Sequence, residues 1–378
     1  MINPSAETCC GCSACESICA HKAITMEPDA LGFLVANIHP ELCVDCGLCD
    51  SVCPFLSKVS DDRKNNVPKA YAARHKDISE VATSRSGAVF ISVSDYVLNH
   101  GGVVYGVSFD NAFVVRHQKA NNKKGRDAFK GSKYVQSDLR GVWKDIRSEL
   151  IDGKDVLFSG TPCQTAALLK FIPARLQQNL YVTDIICHGV ASPAVWAEYL
   201  KWIERKEGSE IIAVDFRDKE IWGWDGLHRE SFRMVNSQNK KTFPFTVYQP
   251  FLIRTSCHHC PYATLNRPSD LTIGDLWSWE KVCPELNSDK KGVSLVMCNT
   301  SKGEELLNAI SSNIHIKPVN LSDCIQPNLQ HPTPEDFRSQ SFKSDFVNRG
   351  FNYILRKYYG YTLYNVLKHK IKRILGRY

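Results

Sequence analysis

No run of 18 or more apolar residues occurs in this sequence of 378 residues, and its opening stretch, Met1 to Glu7, contains neither a basic n-region nor an apolar h-region. The expectation is a chain that is neither exported nor membrane-spanning and that works in the cytoplasm. No Gly-x-Gly-x-x-Gly follows a strand-like run, so a Rossmann flavin or nicotinamide site is not expected. Positive charge is nearly missing from residues 1 to 56, where Lys22 stands alone against seven acids for a net charge of −6. Negative charge is wholly missing from residues 351 to 378, which carry seven Lys and Arg. An acidic head and a basic tail around a mildly basic body point to separate modules with different partners. The Lys and Arg of the body are scattered rather than clustered with aromatics, which excludes a nucleic-acid partner. With 43% hydrophobic and 23% charged residues, collagen-like, coiled-coil and wholly disordered chains are also excluded.

Cysteine, by contrast, is abundant, with 16 residues. In a reducing compartment such thiols point to metal ligation or catalysis rather than disulfides. Cys9, Cys12, Cys15 and Cys19 are spaced C-x2-C-x2-C-x3-C, and Cys43, Cys46, Cys49 and Cys53 repeat that spacing, with Pro54 following. This is the bacterial two-cluster ferredoxin run, in which the fourth Cys of each quartet ligates the other cluster. One 4Fe-4S cluster is therefore assigned to Cys9, Cys12, Cys15 and Cys53, and the other to Cys43, Cys46, Cys49 and Cys19. Three thiolates on a tight loop cap three corners of a cube, and Gly11 and Gly47 relieve the crowding. Structural zinc takes two close pairs instead. Cys10 falls outside the spacing and reads as a bystander; Ala20 stands where Pro usually follows. The −6 surface of the head is expected to dock on a protein redox partner or on the body.

Residues 57 to 69 are polar and read as a linker. Beyond them short apolar runs alternate with helical periodicity. Strands are expected at 69–73, 103–109, 113–117, 156–158, 180–187 and 211–217, with helices at 86–99, 138–151, 164–171 and 193–206. The region 229–255 looks β-rich, and further strands are expected at 270–274, 293–299 and 314–319. The alternation predicts an α/β body with a mixed, partly parallel sheet behind an α+β ferredoxin-like head. Cys163 follows one strand and Cys187 ends another, so the two thiols share the rim where strand carboxyl ends open onto a ligand crevice. Cys257-His258-His259-Cys260 adds a C-x2-C pair. Buried free thiols, a further cluster, or zinc on Cys257, Cys260, His258 and His259 all fit these residues.

The blocks Ser84-Arg85-Ser86-Gly87-Ala88, Gly131 to Ser137, Ser159 to Gln164, Cys187 to Pro193, Phe216-Arg217-Asp218-Lys219, Arg254 to Cys260 and Asp270 to Trp277 resemble the coenzyme F420 hydrogenase/dehydrogenase beta-subunit family. The resemblance spans about residues 70 to 325. It implies a flavoprotein, usually with FAD, whose body holds its own 4Fe-4S cluster, here on Cys163, Cys187, Cys257 and Cys260. It places flavin contacts at Ser86, Gly87, Lys133, Tyr134, Ser137, Gly160 and Thr161. His188 and Asp275 are the expected proton-moving residues. Ala88 stands where the family commonly has a second Gly. The implied activity is electron transfer between the head's clusters and a small molecule at the flavin, coenzyme F420 or another reducible compound. The alternative is an electron-transfer subunit that relays between protein partners without a substrate. The domains expected are a ferredoxin head at 1–56, a linker at 57–69, the flavin and iron–sulfur body at 70–325, and a basic helical tail at 326–378. Phe351, Ile354, Leu355 and Tyr358, then Leu363, Leu367, Ile371, Ile374 and Leu375, recur at helical spacing among basic residues. That pattern suits either packing on the body or peripheral contact with the inner face of the membrane.

Overall fold

The computed structural model describes residues 2–56, 64–224, 226 and 229–361. In the head, β1 (Ile24–Pro28) and β2 (Leu34–Ile38) pair antiparallel, with Ile24 opposite Ile38 and Met26 opposite Ala36. Alternation puts Ile24, Met26, Leu34 and Ala36 on one buried face beside Cys15. Each C-x2-C-x2-C loop runs into a one-turn helix, Ala14–Ile18 and Leu48–Val52. The two loops repeat each other's backbone: Gly11 and Asp45 are left-handed at matching positions, as are Ser13 and Gly47.

The body is built on β3 (Lys64–His75), β4 (Val103–Phe109), β5 (Val115–Ala120), β6 (Val156–Gly160), β7 (Leu180–Ile185), β8 (Ile211–Asp215), β9 (Ser231–Met234), β10 (Lys241–Thr242), β11 (Leu271–Asp275), β12 (Ser294–Thr300) and β13 (Ile314–Val319). Eight of these form one sheet in the order β13-β3-β12-β11-β7-β6-β4-β5. Its centre, β4-β6-β7-β11, is parallel, and the flanking pairs are antiparallel. The mixed α/β architecture is thus the one the sequence implies. Val156, Leu157 and Phe158 of β6 are all fully buried, as a parallel strand covered on both faces requires. Strands β8, β9 and β10 make a separate sheet over an aromatic core of Tyr199, Phe232, Phe243 and Phe245. Leu31 and Phe33 of the head's hairpin enter this same core.

Several expected boundaries move. Strand β3 starts at Lys64, inside the stretch read as a linker, and residues 57–63 lie outside the described residues. The helix expected from 86 starts at Val89, because Ala88 before it is left-handed at φ 60°. A short helix, Ile78–Thr83, capped by Asp77, was not foreseen. The region 229–255 holds only the short β9 and β10 and a 3-10 turn at Pro250–Leu252. In the expected tail, helices Ser339–Arg349 and Phe351–Tyr359 pack on the body. Phe351, Ile354 and Leu355 are buried with Tyr199 and Phe251, so this apolar face is covered by the protein itself. Leu363, Leu367, Ile371, Ile374 and Leu375 lie outside the described residues. Among the described residues no helix is long and apolar enough to cross a membrane.

Candidate functional site

The carboxyl ends of β4, β6, β7 and β11 open onto a cavity of about 280 Å³. Val107, Gly160, Ile185 and Asp275 reach it from those four strands, where an open α/β sheet places its ligands. Two helices point their N-termini at the same space. Val89–Asn99 contributes Val89, Phe90 and Ile91, and Pro162–Phe171 is announced by Thr161 and Gln164. The second start is written in the sequence: Pro162 sits in the first turn, and Thr161 with Gln164 forms a capping box, the Thr161 N–H donating to Gln164 Oε1 at 2.9 Å.

Of the residues assigned to a flavin, Ser86, Lys133, Tyr134, Ser137, Gly160 and Thr161 line this cavity and Gly87 does not. The Gly87 N–H donates to Ser294 Oγ, and a Cβ there would collide with the Ala73 carbonyl oxygen, so its bareness serves packing against β3 and β12. Ser86 Oγ donates to Val293 O at 2.8 Å. Lys133 Nζ donates to Ala128 O at 2.8 Å and Lys130 O at 2.9 Å, and burial lowers its pKa to about 7. Ser137 also belongs to a hydrogen-bonded chain. Gln164 Nε2 donates to Ser137 Oγ at 3.0 Å, and Ser137 Oγ meets His117 Nδ1 at 3.0 Å while His117 Nε2 faces Ser159 O at 3.1 Å. Burial drives the His117 pKa down to about 4.

Asp275 and His188 are brought to the same cavity. Arg217 Nη1 donates to Asp275 Oδ2 at 3.0 Å and to Tyr134 Oη at 3.2 Å, and Arg85 Nη2 stands 3.7 Å from the same carboxylate oxygen. His188 packs against the half-exposed Trp277, with ring centroids 5.7 Å apart. Burial lowers its pKa, and Arg217 adds to the effect against the opposing pull of Asp275. A neutral imidazole beside a carboxylate clamped by arginine can accept a proton at neutral pH. Arg85, Arg217, Tyr248 and Trp277 went unassigned in the sequence. Three of them lie within the family-like blocks, the one signal that could have flagged them.

Cys163, Cys187, Cys257 and Cys260 converge on a small cavity of about 30 Å³, together with Cys10 and Arg254. Asn328 and Pro332 close it, so residues beyond the expected boundary at 325 take part. Thr333 ties that segment down, its hydroxyl donating to His188 O at 2.7 Å. Burial pushes the thiols of Cys187, Cys257 and Cys260 up, the latter two to about 12 and about 11, while the hydrogen bond from Cys10 brings Cys163 down to about 7. Three of these four thiols, crowded out of water, ionise at high cost, which a cationic iron core would remove. Arg254, whose buried Nη2 has no hydrogen-bond partner in the protein, lines this nest and is a donor suited to the sulfurs of an anionic cluster. The residues therefore fit an iron–sulfur cluster. Among the described residues no three His, Cys, Asp or Glu side chains are drawn close enough to share a single metal ion, whereas the corners of a cubane stand farther apart. His258 is committed through Nδ1 to Thr333 O at 2.9 Å and His259 is exposed, which leaves the zinc alternative without its histidines.

In the head, Cys19, Cys43, Cys46 and Cys49 surround one small cavity. Cys9, Cys12 and Cys53 all press electrostatically on the Cys15 thiol, so these four form the second group. The fold thus draws Cys19 to the second loop and Cys53 to the first. Cys46 is exposed beside Val44 and Leu48, whereas Cys12 is buried where the head meets the body and Cys15 within the head's own core. Neutral contacts, rather than the −6 surface, dominate that joint. Trp143 Nε1 donates to Cys12 O at 2.6 Å, Gln136 Nε2 to Cys10 O at 2.9 Å, and Tyr262 Oη to Pro54 O at 2.7 Å. Arg254 Nε and Lys170 Nζ add charged donors to Cys9 O and Cys53 O.

Residues 153–323 match the family described as the C terminus of the coenzyme F420 hydrogenase/dehydrogenase beta subunit, and residues 8–56 match a 4Fe-4S dicluster domain. Among solved structures, the chain is similar to one from the xenon-derivatized F420-reducing NiFe hydrogenase complex of Methanosarcina barkeri. That match has 16% identity and a TM-score of 0.47, and covers 69% of this chain and 85% of that one. No curated protein matches the sequence.

Proposed function

We propose, for a protein of the coenzyme F420 hydrogenase/dehydrogenase beta-subunit family with a 4Fe-4S dicluster domain at its head, an oxidoreductase that exchanges electrons between iron–sulfur clusters and a small molecule at a flavin. The observation that carries this reading is a shared wall. Thr161, Gln164, Cys187, His188, Gly189 and Val190 line both the 280 Å³ cavity and the cysteine nest. Clusters pass single electrons and a flavin such as FAD holds two, which is the chemistry these groups supply when bound.

The chain's own residues supply the rest. The uncapped helix N-terminus at Val89 offers backbone N–H groups to the phosphates of a dinucleotide. Tyr134 and Tyr248, with ring centroids 5.0 Å apart, and Trp277 at the cavity lip offer flat apolar surface to ring systems. Arg217 and Arg85 hold Asp275 in place, and His188, kept neutral by burial, takes or returns the proton that accompanies an electron pair. Coenzyme F420 is one candidate substrate. The exposed face around Cys46, rimmed by Glu41 and Asp45, is where a protein redox partner would meet the outer quartet.

Anaerobic purification followed by iron, sulfide and released-flavin analysis tests the reading. Three clusters predict about 12 irons per chain. Cys257→Ser with Cys260→Ser should remove about four of them and leave the head's ferredoxin spectrum intact. An unchanged iron count, or protein that neither releases nor takes up a flavin, would overturn it.

A further inference from the structure

A buried cation sits within the joint between head and body. Arg254 is 2% exposed, donates from Nε to Cys9 O at 2.7 Å, and donates from Nη1 to Gln136 Oε1 at 3.1 Å. Gln136 in turn donates to Cys10 O, so one side-chain pair fixes two consecutive carbonyls of the first cysteine loop. The loop comes this close because residue 11 is Gly: a Cβ there would strike Gln136 Nε2 and Leu34 O. Of the Arg254 nitrogens, Nη2 is the one left buried without an acceptor in the protein. A charged donor stranded in this way is costly, and native folds rarely keep one without a use. It lines the nest of Cys163, Cys187, Cys257 and Cys260. Cys10 lines that nest as well, its thiol set between Cys12 of the inner head quartet and Cys163 of the nest. The inner quartet and the nest are therefore bridged by one thiol and one guanidinium.

We propose that Arg254 is the positioning residue of the crossing between head and body, its Nη2 donating to a sulfur of the cluster held by Cys163, Cys187, Cys257 and Cys260 while its Nε holds the Cys9–Cys12 loop alongside. This rests on the reading that the nest holds a cluster. Hydrogen bonds to cluster sulfurs and nearby positive charge raise a cluster's reduction potential. Arg254 thus makes the nest a better electron acceptor than its buried thiolates alone would allow, and biases the crossing toward the cavity.

The test is a redox titration of the full chain, prepared anaerobically and followed by electron paramagnetic resonance, for the wild type, Arg254→Lys and Arg254→Gln. Arg254→Gln should keep the full iron content and shift the nest signal to a more negative potential, with the signal of the outer quartet unmoved. Arg254→Lys keeps the charge but loses the fork, and should shift it less. A nest potential unmoved in fully loaded Arg254→Gln would overturn the proposal, as would equal shifts of all signals. Failure of the underlying reading looks different: the wild type itself would hold only about eight irons and show no third signal.

Discussion

At the scale of single residues, the site depends on backbone freedom in a few places and on burial in others. Gly11 is left-handed at φ +68° and has no room for a side chain. Gly11→Ala should therefore lower stability by roughly 1–3 kcal/mol, read as a shift of the denaturant midpoint. A midpoint equal to the wild type would show that the joint yields easily. His117 acts through pH. Its proton affinity falls from 6.5 to about 4 on folding, so the unfolded chain binds the extra proton first as pH drops. The neutral ring's contribution is complete above pH 6.5 and is lost as pH falls toward 4, by at most about 3 kcal/mol. His117→Gln should flatten that part of the stability profile relative to the wild type, and parallel profiles would refute the assignment. The head quartets were legible because ligand spacing is a local property of the chain. Cys10, Arg254 and His117 were not, because their partners come from segments far away in sequence. Cys10 looked idle beside its neighbours, and only the fold puts Cys163 against it.

At the scale of elements, the central strands could be read because each is a short apolar run between turn residues. Their ends could not, since a strand stops where its partner stops: β7 ends at Ile185, two residues short of the expected Cys187, and that cysteine is released into the nest. Element starts are similarly set by backbone geometry. Ala88, 4% exposed, precedes the helix Val89–Asn99 in a left-handed conformation that glycine adopts without penalty. Ala88→Gly should raise stability by about 1 kcal/mol. A lower melting temperature would mean that the lost methyl outweighs the relieved strain. The misread linker has the same origin. Polar composition suggested a loop, but Lys64 and Lys69 of β3 pair with Thr300 and Cys298 of β12, and pairing overrides composition.

At the scale of the whole molecule, the amphipathic pattern near the end of the sequence was legible as a helix, but the surface that covers it was not. Ile354 is fully buried, and Phe351 packs against Phe245 with ring centroids 5.2 Å apart. Ile354→Ala should cost about 2–5 kcal/mol, seen as a lowered unfolding midpoint, with no expected change in the iron signals of the head. A midpoint within error of the wild type would mean that the helix detaches without consequence. The joint between head and body has a different character. The body grips the head by main-chain oxygens: Cys9, Cys10, Cys12, Leu31, Cys53 and Pro54 each accept from a body side chain. A socket that recognises the course of a backbone is indifferent to most of the side chains mounted on it. The head's outer residues are thereby free to drift toward new electron donors while its seat stays fixed, and a foreign dicluster module with the same loop path and a glycine at the point of closest approach should plug into this body.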